Sequence, residues 1–135
     1  MEYTLYTVAV ALIRDKKLYV SQRINTTNFA GKWQFAGGKL EENENHFDGG
    51  IREVKEETGI TLTKERLHYL YPIHNDPSTF ACFLHVVHLK SNEMPQRTED
   101  KMSEWQLMEP DEILKLDLMP GIPQAIEDLK ALRFV

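Results

Sequence analysis

The chain has 135 residues, 41% of them hydrophobic and 27% charged, with a formal net charge of −5. That size and balance fit one soluble globular domain, residues 1–135, with enough apolar content for a real core. The acidic excess argues against a partner such as a nucleic-acid polymer, which needs basic patches, and a single cysteine, Cys82, leaves no disulfide framework.

Residues 4–13 (TLYTVAVALI) are β-branched and aromatic, and read as a strand buried on both faces toward its end. The longest apolar run, Val8 to Ile13, is far short of a membrane span. No basic region or small-residue cleavage site marks a signal peptide, so a cytoplasmic protein is expected. A polar turn, RDKK, leads to a second strand, LYVSQR, making a hairpin. The loop INTTNFAGKW and a Gly-rich approach, QFAGGKLEENENHFDGG, then lead to a helix carrying REVKEETG, residues 52–59. Asn45 suits its N-cap, with Asp48 three residues on as capping partner, and Gly59 suits its C-terminal stop. Gly49 and Gly50 conflict with helix, each costing about 1 kcal/mol relative to Ala. Either the helix packs closely on other backbone there or it starts late.

LHYLYPI and TFACFLHVVHLK read as strands around the turn-rich HNDPS, and Cys82 as a small buried hydrophobe in the second. The loop SNEMPQRTEDK precedes a short strand, EWQLM. EPDEILKL predicts a helix with Pro110 near its first position. IPQAIEDLKALRF predicts an amphipathic one, with Ile122, Ile126, Leu129 and Leu132 at helical spacing. Strands and helices intermingle in one α/β domain.

Glu53, Glu56 and Glu57 are three and four residues apart or adjacent, so they crowd one helix face and repel by a few tenths of a kcal/mol per pair (~0.2–0.5). A solvated surface face is one reading, with Arg52 and Glu56 as an i,i+4 pair and Lys55 as a shield. A site for hard divalent cations, which favour clustered oxygen ligands, is the other. His85 and His88 alternate faces along their strand and point apart. Neither zinc-ligand spacing nor a G-x-S-x-G nucleophile motif is present.

The window Gly37 to Ile60, GGKLEENENHFDGGIREVKEETGI, resembles the signature of the Nudix hydrolases. Gly38, Glu44, Arg52, Glu53, Val54, Glu56, Glu57, Gly59 and Ile60 stand on its fixed positions, a box spanning 38–60. QFAGGKLE is similar to the usual approach, with Ala36 where a proline is common, and the outer strands and last helix are similar to the MutT-like branch. The resemblance implies the Nudix fold, a mixed β-sheet sandwiched between helices (α/β/α). It also implies Mg²⁺-dependent hydrolysis of a nucleoside diphosphate linked to a further group, with Mn²⁺ able to substitute. Glu53, Glu56 and Glu57 would be ligands, with the Gly37 carbonyl. Arg52 would orient Glu53, Glu44 would brace the loop, and Gly38 and Gly59 would be structural. The general base would be a box glutamate or one from a later loop. Glu99 stands where MutT-like proteins carry an extra metal-binding glutamate; the alternative is a charge in a solvated loop.

Lys39 and Arg23 are candidate phosphate contacts, or surface salt bridges. Phe29, Trp33, Phe35 and Phe80 are candidate platforms for a base, or core residues. Ile122 falls where MutT-like enzymes for oxidised guanine nucleotides carry an asparagine, and it offers a base edge no hydrogen bond. Tyr69 and Tyr71 come too early for the tyrosine of dinucleoside-polyphosphate hydrolases, and Pro77 lacks the flanks of the ADP-ribose type. The expectation is a nucleoside triphosphate, deoxy or modified, cleaved to monophosphate and pyrophosphate by a monomer or homodimer. The alternatives are another nucleoside diphosphate derivative and a non-catalytic nucleotide-binding module.

Overall fold

The computed structural model describes residues 5–74 and 80–135. The opening hairpin forms: β1 (Leu5–Arg14) and β2 (Lys17–Gln22) pair antiparallel around Asp15 and Lys16, both at positive φ. Two short strands follow: β3 (Trp33–Gln34), where the expected loop meets the Gly-rich approach, and β4 (Ala36–Lys39) within that approach. Helix α1 (His46–Thr58) comes next, then a 3-10 turn at Lys64–Arg66, β5 (His68–His74), β6 (Phe80–His88) and β7 (Gln106–Met108). The expected strand from Glu104 begins only at Gln106. Two helices end the chain, a short α2 (Pro110–Ile113) and α3 (Ile122–Ala131). The latter stops before Leu132, which is 55% exposed and does not join the apolar stripe.

β1 organises the sheet. It runs parallel to β6 along its length, Leu5 opposite Phe80 through Ile13 opposite His88. Its other edge is shared by β2 at one end and β4, antiparallel from Thr7–Lys39 to Val10–Ala36, at the other. Because strand side chains alternate, β1 feeds two cores. Val8, Val10 and Leu12 pack with Val54, Ile60, Leu67 and Trp105 beneath α1. Ala9, Ala11 and Ile13 pack with Leu84, Val86, Ile126 and Leu129 beneath α3. The result is a mixed sheet between helices, each fully buried aliphatic side chain contributing about 1.5–3 kcal/mol. Cys82 packs against the second core, where burial pushes its thiol up. No described helix is long and apolar enough to cross a membrane.

The glycine conflict resolves as close packing, but on side chains rather than on the backbone expected. Asn45 Oδ1 accepts the Asp48 N–H at 2.9 Å, so α1 starts at His46 and both glycines lie inside it. A Cβ on Gly49 would stand 2.3 Å from Leu40 Cδ2, and one on Gly50 would stand 3.3 Å from Val10 Cγ2. The tighter requirement lies at Gly37, where a Cβ would sit 2.0 Å from the Val8 carbonyl oxygen. That obstacle is backbone and cannot swing aside. Gly37→Ala is therefore expected to lower stability by at least about 3 kcal/mol in urea unfolding. Gly31→Ala, at φ +87° in open space, should cost only about 1–2 kcal/mol of backbone strain. Equal losses would mean that β4 does not need its close approach to β1.

Candidate active site

The β4–β1 contact brings the glycines under the acidic face of α1. The Gly37 N–H donates to Glu57 Oε1 at 2.7 Å. A Cβ on Gly38 would lie 2.7–2.9 Å from the Glu53 carboxyl atoms, so glycine there leaves the space that Glu53 occupies. Gly59 ends the helix in the left-handed region at φ 81°, its N–H donating to the Lys55 carbonyl.

Arg52 is the hub. Its Nε and Nη2 donate to the two Glu44 carboxylate oxygens at 2.8 Å each, a bidentate pair. Nη1 donates to Glu53 Oε1 at 3.0 Å and Glu56 Oε2 at 3.3 Å, and Nη2 also reaches the Lys39 carbonyl at 3.0 Å. Glu44 Oε1 accepts the Glu41 N–H as well. These bonds, the Arg52 ones foremost, bring the Glu44 carboxyl down to about 2, so it is a permanent anion that anchors the loop.

The other box carboxyls are held differently. Glu57 is 8% exposed, and burial pushes it well above the ordinary 4.5, against the pull of the Gly37 N–H; the charges of Glu53, Glu99 and Glu56 push it further. Burial likewise raises Glu53, against Arg52. The side chain of Glu56 is 48% exposed. Glu99 is half-buried, and its charge acts on both Glu53 and Glu57. The helix face thus holds two carboxyls whose burial and anionic neighbours favour the neutral form. Among the described residues no three acidic, His or Cys side chains are gathered into a finished cage: Arg52 draws Glu53 and Glu56 one way, and Gly37 holds Glu57.

The remaining sequence candidates separate. Phe35 is 2% exposed within the α3-side core and presents no face to a base. Trp33 is partly buried against the same core. Arg23 is occupied with the Asn28 carbonyl and Gln34 Oε1. Lys39 is exposed and lines a groove of about 530 Å³ with Tyr6, Leu40, Glu44, His46 and Phe83; Glu53, Glu56 and Glu57 do not line that groove, so its size does not make it the reaction centre. The side chain of Phe80, and Pro77, lie outside the described residues. His85 is fully buried with Nε2 2.8 Å from His46 Nδ1, while His88 is exposed on the other face. Sequence reasoning missed Trp105, whose Nε1–H donates to the Glu57 carbonyl at 3.0 Å. Its only trace was the Glu-Trp pair that opens the expected strand EWQLM.

A mixed sheet between helices carries an arginine-braced row of glutamates on α1, set against the glycines of β4. The chain belongs to the Nudix family: the NUDIX domain pattern matches residues 4–129. It is 32% identical over 127 residues to the CTP pyrophosphohydrolase of Escherichia coli K12, covering 93% of this chain and 91% of that protein. It is 34% identical over 71 residues to the 8-oxo-dGTP diphosphatase of the same organism, covering 48% of this chain and 55% of that one. The solution structure of the E. coli ORF135 protein superposes with a TM-score of 0.74 at 29% identity, covering 96% of this chain and 90% of that one. The protein is therefore a Nudix hydrolase with the expected mixed sheet.

The raised Glu57 carboxyl has a signed consequence. A carboxyl whose folded-state pKa exceeds its unfolded value contributes stability fully present below the unfolded pKa, 4.5, and lost as pH rises through the folded value. Without added divalent cations, Glu57→Gln should match the parent in thermal stability at about pH 4 and exceed it by a growing margin as pH rises above the unfolded value. A margin that stays flat or shrinks over that range would show that the carboxyl is not desolvated.

Proposed function

We propose that this hydrolase is a Mg²⁺-dependent nucleoside triphosphate pyrophosphohydrolase, with Mn²⁺ able to substitute. It adds water across the α–β anhydride and releases a nucleoside monophosphate and pyrophosphate. The observation that carries the reading is the buried Glu57 and half-buried Glu53 carboxyls on one helix face, while Arg52 is shared among Glu44, Glu53 and Glu56. Surplus negative charge on oxygen donors fits a hard divalent cation rather than a soft one. The open arrangement suits Mg²⁺, which is ordinarily completed by waters and substrate phosphates instead of a closed protein cage.

Glu53, Glu56, Glu57, Glu99 and the Gly37 carbonyl would hold the cation, which when bound neutralises phosphate charge and lowers the pKa of a water. The chain's own part is orientation. Arg52 keeps Glu53 aimed along the helix face, the Gly37 N–H fixes Glu57, and the missing side chain at Gly38 leaves Glu53 its place.

The substrate reading is supported by the relative similar over nearly the whole of both chains, a CTP pyrophosphohydrolase. Ile122 is 5% exposed at the start of α3 and lies in the core, so it reads no base edge by hydrogen bonding. Cytidine triphosphates, ribo and deoxy, plain and modified, are the first substrates to try.

The test is pyrophosphate and phosphate release with Mg²⁺ across common and oxidised (d)NTPs, ADP-ribose, NADH, a nucleotide sugar and a diadenosine polyphosphate. Pyrophosphate from one or a few triphosphates is expected, with kcat at least about 100-fold lower in Glu53→Gln, the equivalent of roughly 3 kcal/mol of charge stabilisation. Full activity in that variant would remove Glu53 from the site. Release of phosphate alone, or turnover only of ADP-ribose or a dinucleotide, would move the substrate class. A second measurement needs no substrate. Mg²⁺ at 100 times its dissociation constant should stabilise the parent by about 2.7 kcal/mol, and Glu53→Gln should gain much less.

A further inference from the structure

The segment 96–105 has no regular secondary structure of its own, yet its backbone is tied down at nearly every step. From both of its ends it closes the C-terminus of α1. The last carbonyls of a helix have no partner within it, and here successive ones are met from this segment. The Thr98 hydroxyl donates to the Glu56 carbonyl, the Trp105 indole N–H to the Glu57 carbonyl at 3.0 Å, and the Gln96 N–H to the Thr58 carbonyl at 3.0 Å. The carbonyls being closed belong to two box glutamates and the residue after them.

Between those anchors the chain turns at 99–102, and one side chain shapes the turn. Arg97 Nε donates to the Met102 carbonyl at 2.7 Å and reaches the Glu99 carbonyl at 3.3 Å; its Nη2 reaches the Asp100 carbonyl at 3.5 Å. From the other side, Asn25 Nδ2 donates to the Asp100 carbonyl and the Ile24 N–H to the Lys101 carbonyl, both at 2.9 Å. Ser21 Oγ closes the Ser103 carbonyl at 2.6 Å. An irregular loop fixed on two sides loses the freedom that exposed loops usually keep. The residue it displays at the turn is the half-buried Glu99, which directly follows Thr98 and so lies beside the last turn of the box helix.

We propose that Thr98 and Arg97 are positioning residues: Thr98 fastens this arm to the end of α1 and Arg97 sets its turn, so that Glu99 is held beside the C-terminal turn of the box helix before any ligand arrives. This rests on the cation-dependent function proposed above, with Glu99 among the cation's ligands. The bond from Thr98 makes the arm and the box helix one unit. Displacing the arm would therefore alter cation affinity without unfolding the domain, since Thr98 and Arg97 are both exposed.

The experiment is calorimetric titration with MnCl₂ alone, then kcat and KM on the best triphosphate, for the parent, Thr98→Val, Thr98→Ser, Arg97→Met and Glu99→Gln. Thr98→Val keeps the shape and removes the hydroxyl. It and Arg97→Met should each weaken Mn²⁺ binding and lower kcat by about 10-fold with KM little changed, the usual size of an effect exerted through a ligand's support. Thr98→Ser should restore both, and cation-free melting temperatures should stay close to the parent's. Parent-like Mn²⁺ affinity in both Thr98→Val and Arg97→Met, with Glu99→Gln weakened, would overturn the positioning role. Parent-like affinity in Glu99→Gln would overturn it at its root while leaving pyrophosphate release by the parent intact. A parent that binds no Mn²⁺ and cleaves nothing would instead bring down the function on which the proposal rests.

Discussion

The approach of β4 to β1 is the constraint on which the site depends. Gly37 lies so near the Val8 carbonyl that no side chain fits, and the antiparallel pairing from Thr7–Lys39 to Val10–Ala36 holds the strand in that register. The register leaves the Gly37 N–H facing Glu57, lets α1 settle with Gly50 against Val10, and brings the Lys39 carbonyl within reach of Arg52. A bulkier residue in this strand would shift the helix, and with it every carboxylate of the box.

Charge explains the rest of the arrangement. Desolvating two carboxyls on one helix face costs free energy, since burial favours the neutral form and neighbouring anions add to the penalty. Arg52 offsets part of that penalty, but it is committed most strongly to Glu44, its bidentate partner. Glu44 and Arg52 therefore form a rigid brace, and Glu53 and Glu57 keep an unmet demand for positive charge. Perturbed groups of this kind gather at functional sites, and the cation proposed above would relieve the cost carried by Glu53 and Glu57.

The two cores have separate tasks. The one beneath α1 fixes the box helix to β1 through Val54 and the aliphatic row Val8, Val10 and Leu12, with Trp105 tying in the later loop. The one beneath α3 takes Phe35, Ile122 and the aliphatic face of the last helix. That division accounts for Phe35: in the break between β3 and β4 it enters the α3-side core while the next residue, Ala36, enters the other, so its exposure was settled by the face it occupies rather than by its nearness in sequence to the glycines.

Much of the molecule is legible in the sequence because it rests on local rules. The Asn45 cap, the left-handed Gly59 stop and the hairpin turn at Asp15–Lys16 each depend on a few neighbouring residues. The spacing of Glu53, Glu56 and Glu57 puts them on one face wherever the helix lies. Other features could not be read this way. β4 is a strand because β1 lies beside it, although its glycines have little strand propensity; Arg23 turns to Asn28 and Gln34 instead of lying free; and Leu132 falls just past the end of its helix. Residue order alone specifies the family signature, the succession of most elements and the identity of the acidic residues. The assembled fold is needed to establish which carboxyls are buried, that Arg52 is shared among three of them, and that a loop some 40 residues beyond the box closes its helix end. Burial and shared hydrogen bonds are properties of chain segments brought together by the fold, and they leave no periodic trace along any one segment.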